Sequence, residues 1–405
     1  MLPIGDGTAP LINILDELQT PTAWTWTEEL DADAGDVLPA GTWRQLRGTF
    51  TTTDWLVDDA MFAVHTDGHP EAQGAVEAEL FVMIPDSVRD AEPSTVPVWI
   101  FGHGIFSSPE TYLADLDDPS HVVALADAAG AIVVATTWRG LTRSDLGVAI
   151  NVGTDFGSIP ELTDKLVQGI ANTAAMIKLI HGGGLLDDPA LGGLGDPNTL
   201  RWYGISLGAI NGATLLANDP TIPHGVLHVG GSVWSTMLER SSNWAQFEVL
   251  IMNSVPEAAD RQLLYAASQL FWDGADPALY ADGLQGRSVL WQKSVGDEQV
   301  PNLTTDIIAR AAGATVVTPV ADLPADMATA TAPLQGPALA HYDPMLPLPT
   351  VSNRPAAVTG AHGTPRKWDS QAAQTLRFLD ADDPGVVVHP CGDAPCTADN
   401  TDAVD

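Results

Sequence analysis

Between residues 96 and 234 short apolar runs alternate with segments of helical spacing. VPVWIFG (96–102) is apolar throughout with no polar alternation, which predicts a strand buried on both faces. HVVALADAAG (121–130) then predicts a helix closed by Gly130, and AIVVATTW (131–138) a second buried strand. IPELTDKLVQGIANTAAMIKLI (159–180) carries apolar residues at helical intervals after Pro160 and predicts a long amphipathic helix. LRWYGIS predicts the next strand, LGAINGATLLAND the next helix, and GVLHVGGSVW (225–234) a further strand. Strand and helix in strict alternation mean a mostly parallel central sheet with helices on both faces, so the fold class is α/β.

The flanks break this rhythm. Residues 1 to about 45 are rich in Asp, Pro, Thr and Trp without a sustained period and read as an irregular arm, whereas LRGTFTTTDWLV and VEAELFVMIP within 46–85 read as strands. The segment 235–286, including FEVLIMNSVPEAADRQLLYAASQLFW, is helical in pattern and falls between two strands, as an insertion would. SVLWQKSVGDEQVP (288–301) resumes the strands, LTTDIIARAAG follows as a helix, and RPAAVTGAHG, read as the next strand and its exit, leads to a last helix, DSQAAQTLRFLD. Residues 319–353 are rich in Pro and Ala with no clear period and read as an excursion. The expected division is an arm and β-rich extension (1–75), a first core part (76–234), a helical cap (235–286), a second core part (287–380) and an acidic cysteine-containing tail (381–405).

Composition narrows the partners. The chain has 405 residues and 52 Asp plus Glu against 17 Lys plus Arg, a net charge of -35. Phosphate binding needs a basic face, so nucleic acid is not expected as a partner. Only Lys165, Lys178, Lys293 and Lys367 are lysines, which suits a carboxylate-solvated, salt-adapted surface as well as a generally acidic secreted protein. No apolar run reaches the roughly 20 residues of a membrane span. The opening MLPIGDG lacks the charged-then-apolar order of a secretory leader. Both cysteines, Cys391 and Cys396, lie in HPCGDAPCTADN, and a short-loop disulfide in an oxidising, extracytoplasmic setting is the expectation. A zinc site would need four ligands and only His389 stands nearby, so no metal or other cofactor is expected.

The chemistry centres on Gly204-Ile205-Ser206-Leu207-Gly208, a serine between glycines where a strand passes into a helix. A serine hydroxyl needs a base to take its proton and a carboxylate to orient that base. Asp297, in the turn Gly296-Asp297 just past a strand, and His362, in Ala-His-Gly before the last helix, supply them in the chain order Ser, Asp, His. Glu298 and Asp306 are the alternative acids; Glu298, as a neighbour in an extended turn, should point elsewhere. His341 and His389 are the alternative bases, and neither follows a well-defined strand. Acyl transfer also needs donors aimed at the oxygen that becomes negative. Leu207 should offer one N–H; Gly104 or Ile105, in Gly102-His103-Gly104-Ile105-Phe106, should offer the other, Ile105 being favoured. His103 is expected to brace this loop, and is also counted among the residues close to substrate.

These four motifs, in this order, resemble the α/β-hydrolases over roughly residues 75–380. The resemblance implies a serine esterase or lipase acting through an acyl-enzyme, with Ser206, Asp297 and His362 as its triad. The single bulky residue after His103-Gly104 is similar to the oxyanion loop of lipases and esterases for medium or long acyl chains, and WRGLTRSDLG (138–147) looks like the family's loop after its fourth strand. Two features depart from the pattern: the interval of 65 residues from Asp297 to His362, and the β-rich front with its cysteine tail, which the family does not explain and which is loosely similar to secreted or surface-attached bacterial lipase-like proteins. The implied substrate is a small-molecule or lipid-like ester, neutral and fairly apolar, since an acidic protein repels anions. Phe106, Trp234 and Met237 are the expected substrate contacts. Polyester hydrolysis, amide cleavage and acyl transfer share the same constellation, and a non-catalytic binding module on the same fold is the reading from another class.

Overall fold

The computed structural model describes residues 10–64, 69–116 and 121–403. MLPIGDG, and with it the expectation about a leader, lies outside the described residues. The chain forms two compact units, one of residues 1–200 with 270–275 and one of 201–269 with 276–405.

In the first unit β1 (Trp24–Asp31), β2 (Thr42–Asp54) and β5 (Gly74–Pro85) pair antiparallel, with the hairpin β3 (Leu56–Val57) and β4 (Met61–Phe62) between them in sequence. β6 (Val96–Gly102) and β7 (Ile132–Ala135) pair parallel, and β7 adjoins β5, giving the order β1-β2-β5-β7-β6. Every residue of β6 and β7 is buried, as their apolar runs predict. The helix Ile159–Gly182 covers the expected 159–180 segment. It also holds the hairpin: Trp55 N–H donates to Gln168 Oε1 at 2.9 Å and Phe62 N–H to Asp164 Oδ2 at 3.0 Å. The front of the chain departs from the expected irregular arm. Pro10–Glu17 is a helix with Leu11 and Ile14 buried, and β1 is a regular strand. WTWTEELD pairs with β2, and the indoles of Trp24 and Trp26 both donate to Asp188. A ladder whose partners lie 13 to 26 residues away is not marked by a sustained local apolar period.

The second unit carries the end of β8 (Gly195–Ile205), then β9 (His224–His228), β10 (Ser288–Ser294), β11 (Thr315–Thr318), β12 (Thr329–Thr331), β13 (Ala338–Asp343) and β14 (Cys396–Thr397). The strands run parallel in the order β8-β9-β10-β13-β11-β12, with β14 on β13. Ile205 stands opposite His228, and His228 opposite Gln292. Three expectations change here. β9 ends at His228, six residues early, because Val229 and Val233 take φ of 49° and 54°, outside any strand. RPAAVTG is not a strand: Val358 is 80% exposed and the segment is irregular. The strand beside β10 is instead ALAHYD, inside the Pro/Ala-rich 319–353 segment, and His341 lies within it opposite Lys293. Five of its six residues are buried, but with His341 and Asp343 among the six the unbroken apolar run is only Ala338-Leu339-Ala340, too short to stand out.

The segment after β9 is helical, as its pattern predicts, with helices Trp234–Leu238, Ala245–Ser254 and Ala258–Trp272 and a 3₁₀ turn over Pro277–Leu284. Trp244 stacks near Phe247 with ring centroids 5.2 Å apart and donates to Tyr265 Oη, so these aromatics build the segment's own small core. Cys391 and Cys396 form the expected disulfide, and β14 fastens that loop to Tyr342 and Asp343.

Candidate active site

Ser206 follows the carboxyl end of β8 and caps the helix Leu207–Asn218 with φ 56° and ψ -116°, a conformation side-chain-bearing residues rarely take. Its N–H donates to the carbonyl of His228 at 2.9 Å, while its own carbonyl accepts from Ala209 and Ile210. The flanking sequence makes this turn possible. A Cβ on Gly204 would lie 2.2 Å from the Gly208 carbonyl oxygen, and one on Gly212 would lie 2.1 Å from the Trp202 indole nitrogen. Strand and helix therefore meet at backbone contact, and the serine is lifted out of the turn with 6% of its surface exposed. Leu207 opens the helix, where the first N–H groups have no intrahelical acceptor.

Asp297 lies three residues beyond the end of β10, in a turn that Gly296 enters at φ 78°. Asn302 closes the turn: its Oδ1 accepts from Gly296 N–H and its Nδ2 donates to the Ser294 carbonyl. Asp297 Oδ1 accepts the N–H groups of Gln299 and Val300 at 2.8 and 2.9 Å. Its carboxylate also faces His362 Nδ1 at 2.8 and 3.0 Å, with both side chains buried. With Oδ1 held as an acceptor by two N–H groups and both carboxylate oxygens facing the ring, Nδ1 carries the proton and Nε2 is left as the acceptor. Among the described residues no hydrogen bond joins Ser206 Oγ to His362; catalytic contacts of this kind commonly close only around substrate. Alternative acid Asp306 is paired with Lys293 at 2.8 Å and takes no part. His341 and His389 likewise lie elsewhere, His341 in β13 and His389 with Nε2 at the Pro319 carbonyl.

Glu298 behaves differently from the sequence expectation. It is 1% exposed and turns toward the histidine loop, where its carboxylate accepts from Thr359 Oγ1 (3.0 Å), Gly360 N–H (3.2 Å) and His362 N–H (3.2 Å). Burial alone would push its pKa up, but backbone and Thr359 hydrogen bonds outweigh burial and hold it below the ordinary range. Ser294 adds a fourth tie, Oγ to the Ala361 carbonyl at 2.6 Å. The turn Gly296-Asp297 marks Asp297 as the partner of the ring, and the fold of residues 359–362 back onto that turn gives Glu298 a separate place on the main chain of the histidine loop.

In the first unit the loop after β6 carries His103, Gly104, Ile105 and Phe106. His103 Nε2 accepts from Trp138 N–H at 3.1 Å, so Nδ1 carries the proton and donates to the Gly104 carbonyl at 2.8 Å. Trp138 Nε1 returns a bond to the His103 carbonyl. Burial pushes the His103 pKa down to about 4 against the opposing pull of the Gly104 carbonyl. Fully enclosed and with both nitrogens engaged, His103 cannot touch substrate and serves only as the loop's brace, which corrects its place among the substrate contacts. Phe106, at φ 51°, donates its N–H to the Leu141 carbonyl. Leu141 is held in turn by Asp145, which accepts from Gly140 N–H and Thr142 Oγ1. Gly104 and Ile105 thus sit on a fixed platform within their unit, while Leu207 belongs to the other. Trp234 and Met237 are buried, and Asp276 anchors the Trp234 backbone by accepting its N–H at 2.8 Å. Among the described residues no group of three His, Cys, Asp or Glu side chains could hold a metal ion, and no helix is long and apolar enough to cross a membrane.

Compared with solved structures, the chain superposes on acetyl xylan esterase 1 from Thermoanaerobacterium sp. JW/SL YS485 with a TM-score of 0.50 at 15% identity, covering 82% of this chain and 86% of that one. The fold is that of the α/β-hydrolases. An acetyl xylan esterase from Paenibacillus sp. R4 (TM-score 0.45, 12% identity, 82% and 86% covered) and an acylaminoacyl peptidase of Pyrococcus horikoshii (0.39, 15%, 75% and 42%) also match. No family model and no curated protein matches the sequence. An α/β-hydrolase fold gathers its chemistry beyond the carboxyl ends of the parallel strands. Ser206 beyond β8 and Asp297 beyond β10 occupy such positions, with β9 between those strands.

Proposed function

We propose that this protein is a serine carboxylic-ester hydrolase. The observation that carries the reading is the buried His362–Asp297 pair, 2.8 Å apart, in a unit that also holds Ser206 on its strained turn. Ser206 Oγ attacks the ester carbonyl as His362 Nε2 takes its proton, and Asp297 stabilises the imidazolium that results. The proton passes to the leaving alkoxide, an acyl-serine remains, and water attacks it with His362 again as base. The N–H groups of Leu207 and of Ile105 or Gly104 are the proposed donors to the oxyanion. Ester hydrolysis is also the activity named for the Thermoanaerobacterium neighbour.

The substrate proposed is a neutral, fairly apolar ester. Phe106, beside the proposed oxyanion donor and partly exposed, and the apolar helical segment 235–286 support that choice, as does a net charge of -35. An extracytoplasmic location is proposed from the Cys391–Cys396 disulfide, a bond that persists in oxidising compartments. A fluorophosphonate probe should label the folded protein at Ser206, and Ser206→Ala should abolish both labelling and hydrolysis of p-nitrophenyl esters. Hydrolysis retained by Ser206→Ala refutes the mechanism.

A further inference from the structure

We infer that Glu298 is a positioning residue for the base, holding His362 in reach of Ser206 by gripping the loop that carries it. This rests on the ester-hydrolase reading and extends it to a carboxylate that touches none of the reacting atoms.

The loop needs such a grip because it has no strand beneath it. β13, the strand beside β10, ends at Asp343, and residues 344–363 contain no helix or strand before His362 is reached. The loop is also exposed: Val358 is 80% accessible and Gly360 takes φ 90°. A free segment of this length would let the imidazole sample many positions, and a displacement of about 1 Å at a catalytic group can cost on the order of a hundredfold in rate. His362's bond to Asp297 fixes one ring atom but leaves the backbone that bears the ring unfixed. Glu298 fixes that backbone. Its two oxygens accept from the N–H groups of Gly360 and His362 and the hydroxyl of Thr359, and Ser294 Oγ donates to the carbonyl of Ala361.

The acid turn and the base loop are thereby one hydrogen-bonded body. Asp297 aims the ring through its side chain, and Glu298, the next residue, aims the same histidine through its main chain. The Glu298 carbonyl meanwhile accepts from Ser242 N–H at 2.7 Å, at the foot of the helical segment, and Ala356 N–H donates to the Arg240 carbonyl. The Glu298 main chain is therefore held from outside while its carboxylate holds the loop.

Glu298→Gln keeps one acceptor oxygen for Thr359 and His362 but turns an amide N–H toward the Gly360 N–H; Glu298→Ala removes both acceptor oxygens and with them all three bonds. On a p-nitrophenyl ester, kcat should fall about tenfold for the first and about a hundredfold for the second, with KM nearly unchanged. The downfield proton resonance of the His362–Asp297 hydrogen bond should broaden or vanish in the same order. An unchanged kcat in folded Glu298→Ala, or a loss confined to KM, overturns the inference. Should that variant fail to fold, Thr359→Val decides: it removes from a half-buried loop position the hydroxyl that donates to Glu298 and accepts from Ala361 N–H, and a several-fold drop in kcat with an unchanged melting temperature is expected, whereas full activity overturns the inference. If the wild-type protein itself neither hydrolyses esters nor takes the fluorophosphonate label, it is the ester-hydrolase reading that fails.

Discussion

His103 sits at the head of the loop after β6 with both ring nitrogens hydrogen-bonded. Its position out of triad order marks it as a brace, and the structure supplies the mechanism: an enclosed neutral imidazole clasped between Trp138 N–H and the Gly104 carbonyl. That enclosure has a measurable consequence. In the unfolded chain a histidine takes its proton below about pH 6.5, but in the fold His103 resists it down to about 4. The folded pKa is depressed, so the stabilisation is complete above about pH 6.5 and is lost as pH falls toward 4, on the order of 3 kcal/mol across the window. Denaturant melts of wild type and His103→Asn at about pH 7 and about pH 5 test this: the wild type should lose more stability between the two than the variant does. Equal losses would show that His103 is not the group responsible.

At the scale of elements, the turn between β8 and its helix is where sequence and structure agree most closely. Glycine at 204 and 212 is needed for contact distances: the strand and helix approach so closely that a methyl group has nowhere to go. Gly204→Ala faces a backbone oxygen, which cannot rotate away as a side chain would, and overpacking of this kind costs about 1–3 kcal/mol. The variant should melt lower and lose kcat together, because relieving the clash moves the strand end that presents Ser206. A variant with normal melting and normal kcat would mean that the turn is looser than its geometry implies. The elements misread from sequence share one cause. β1 and β13 form because a partner strand brought from a distance satisfies their backbone groups, and RPAAVTG stays irregular because Glu298 and Arg240 claim its N–H groups and those of the residues after it instead.

Over the whole molecule the dominant physical fact is charge. With a net charge of -35 the chain repels itself, and among the described residues most carboxylates have no salt-bridge partner to offset that. Raising salt to about 1 M shortens the screening length to about 3 Å, so the melting temperature should climb with sodium chloride. A melting temperature independent of salt would mean that the surface carboxylates are spaced widely enough not to interact.

Alternation of apolar runs and helical spacing from residue 96 to 234, and the order Ser206, Asp297, His362, were legible in the chain alone. Both are properties of local sequence: a buried parallel strand must be apolar along its length, and a strained strand-to-helix turn must be flanked by small residues. What only the tertiary structure decided is which strand lies beside β10, which face of the 297–298 turn meets the histidine, and that Glu298 and not a strand supports the base. Those outcomes depend on groups from segments 48 to 64 residues apart finding each other, and a hydrogen-bond acceptor in sequence carries no mark of the donor it will meet.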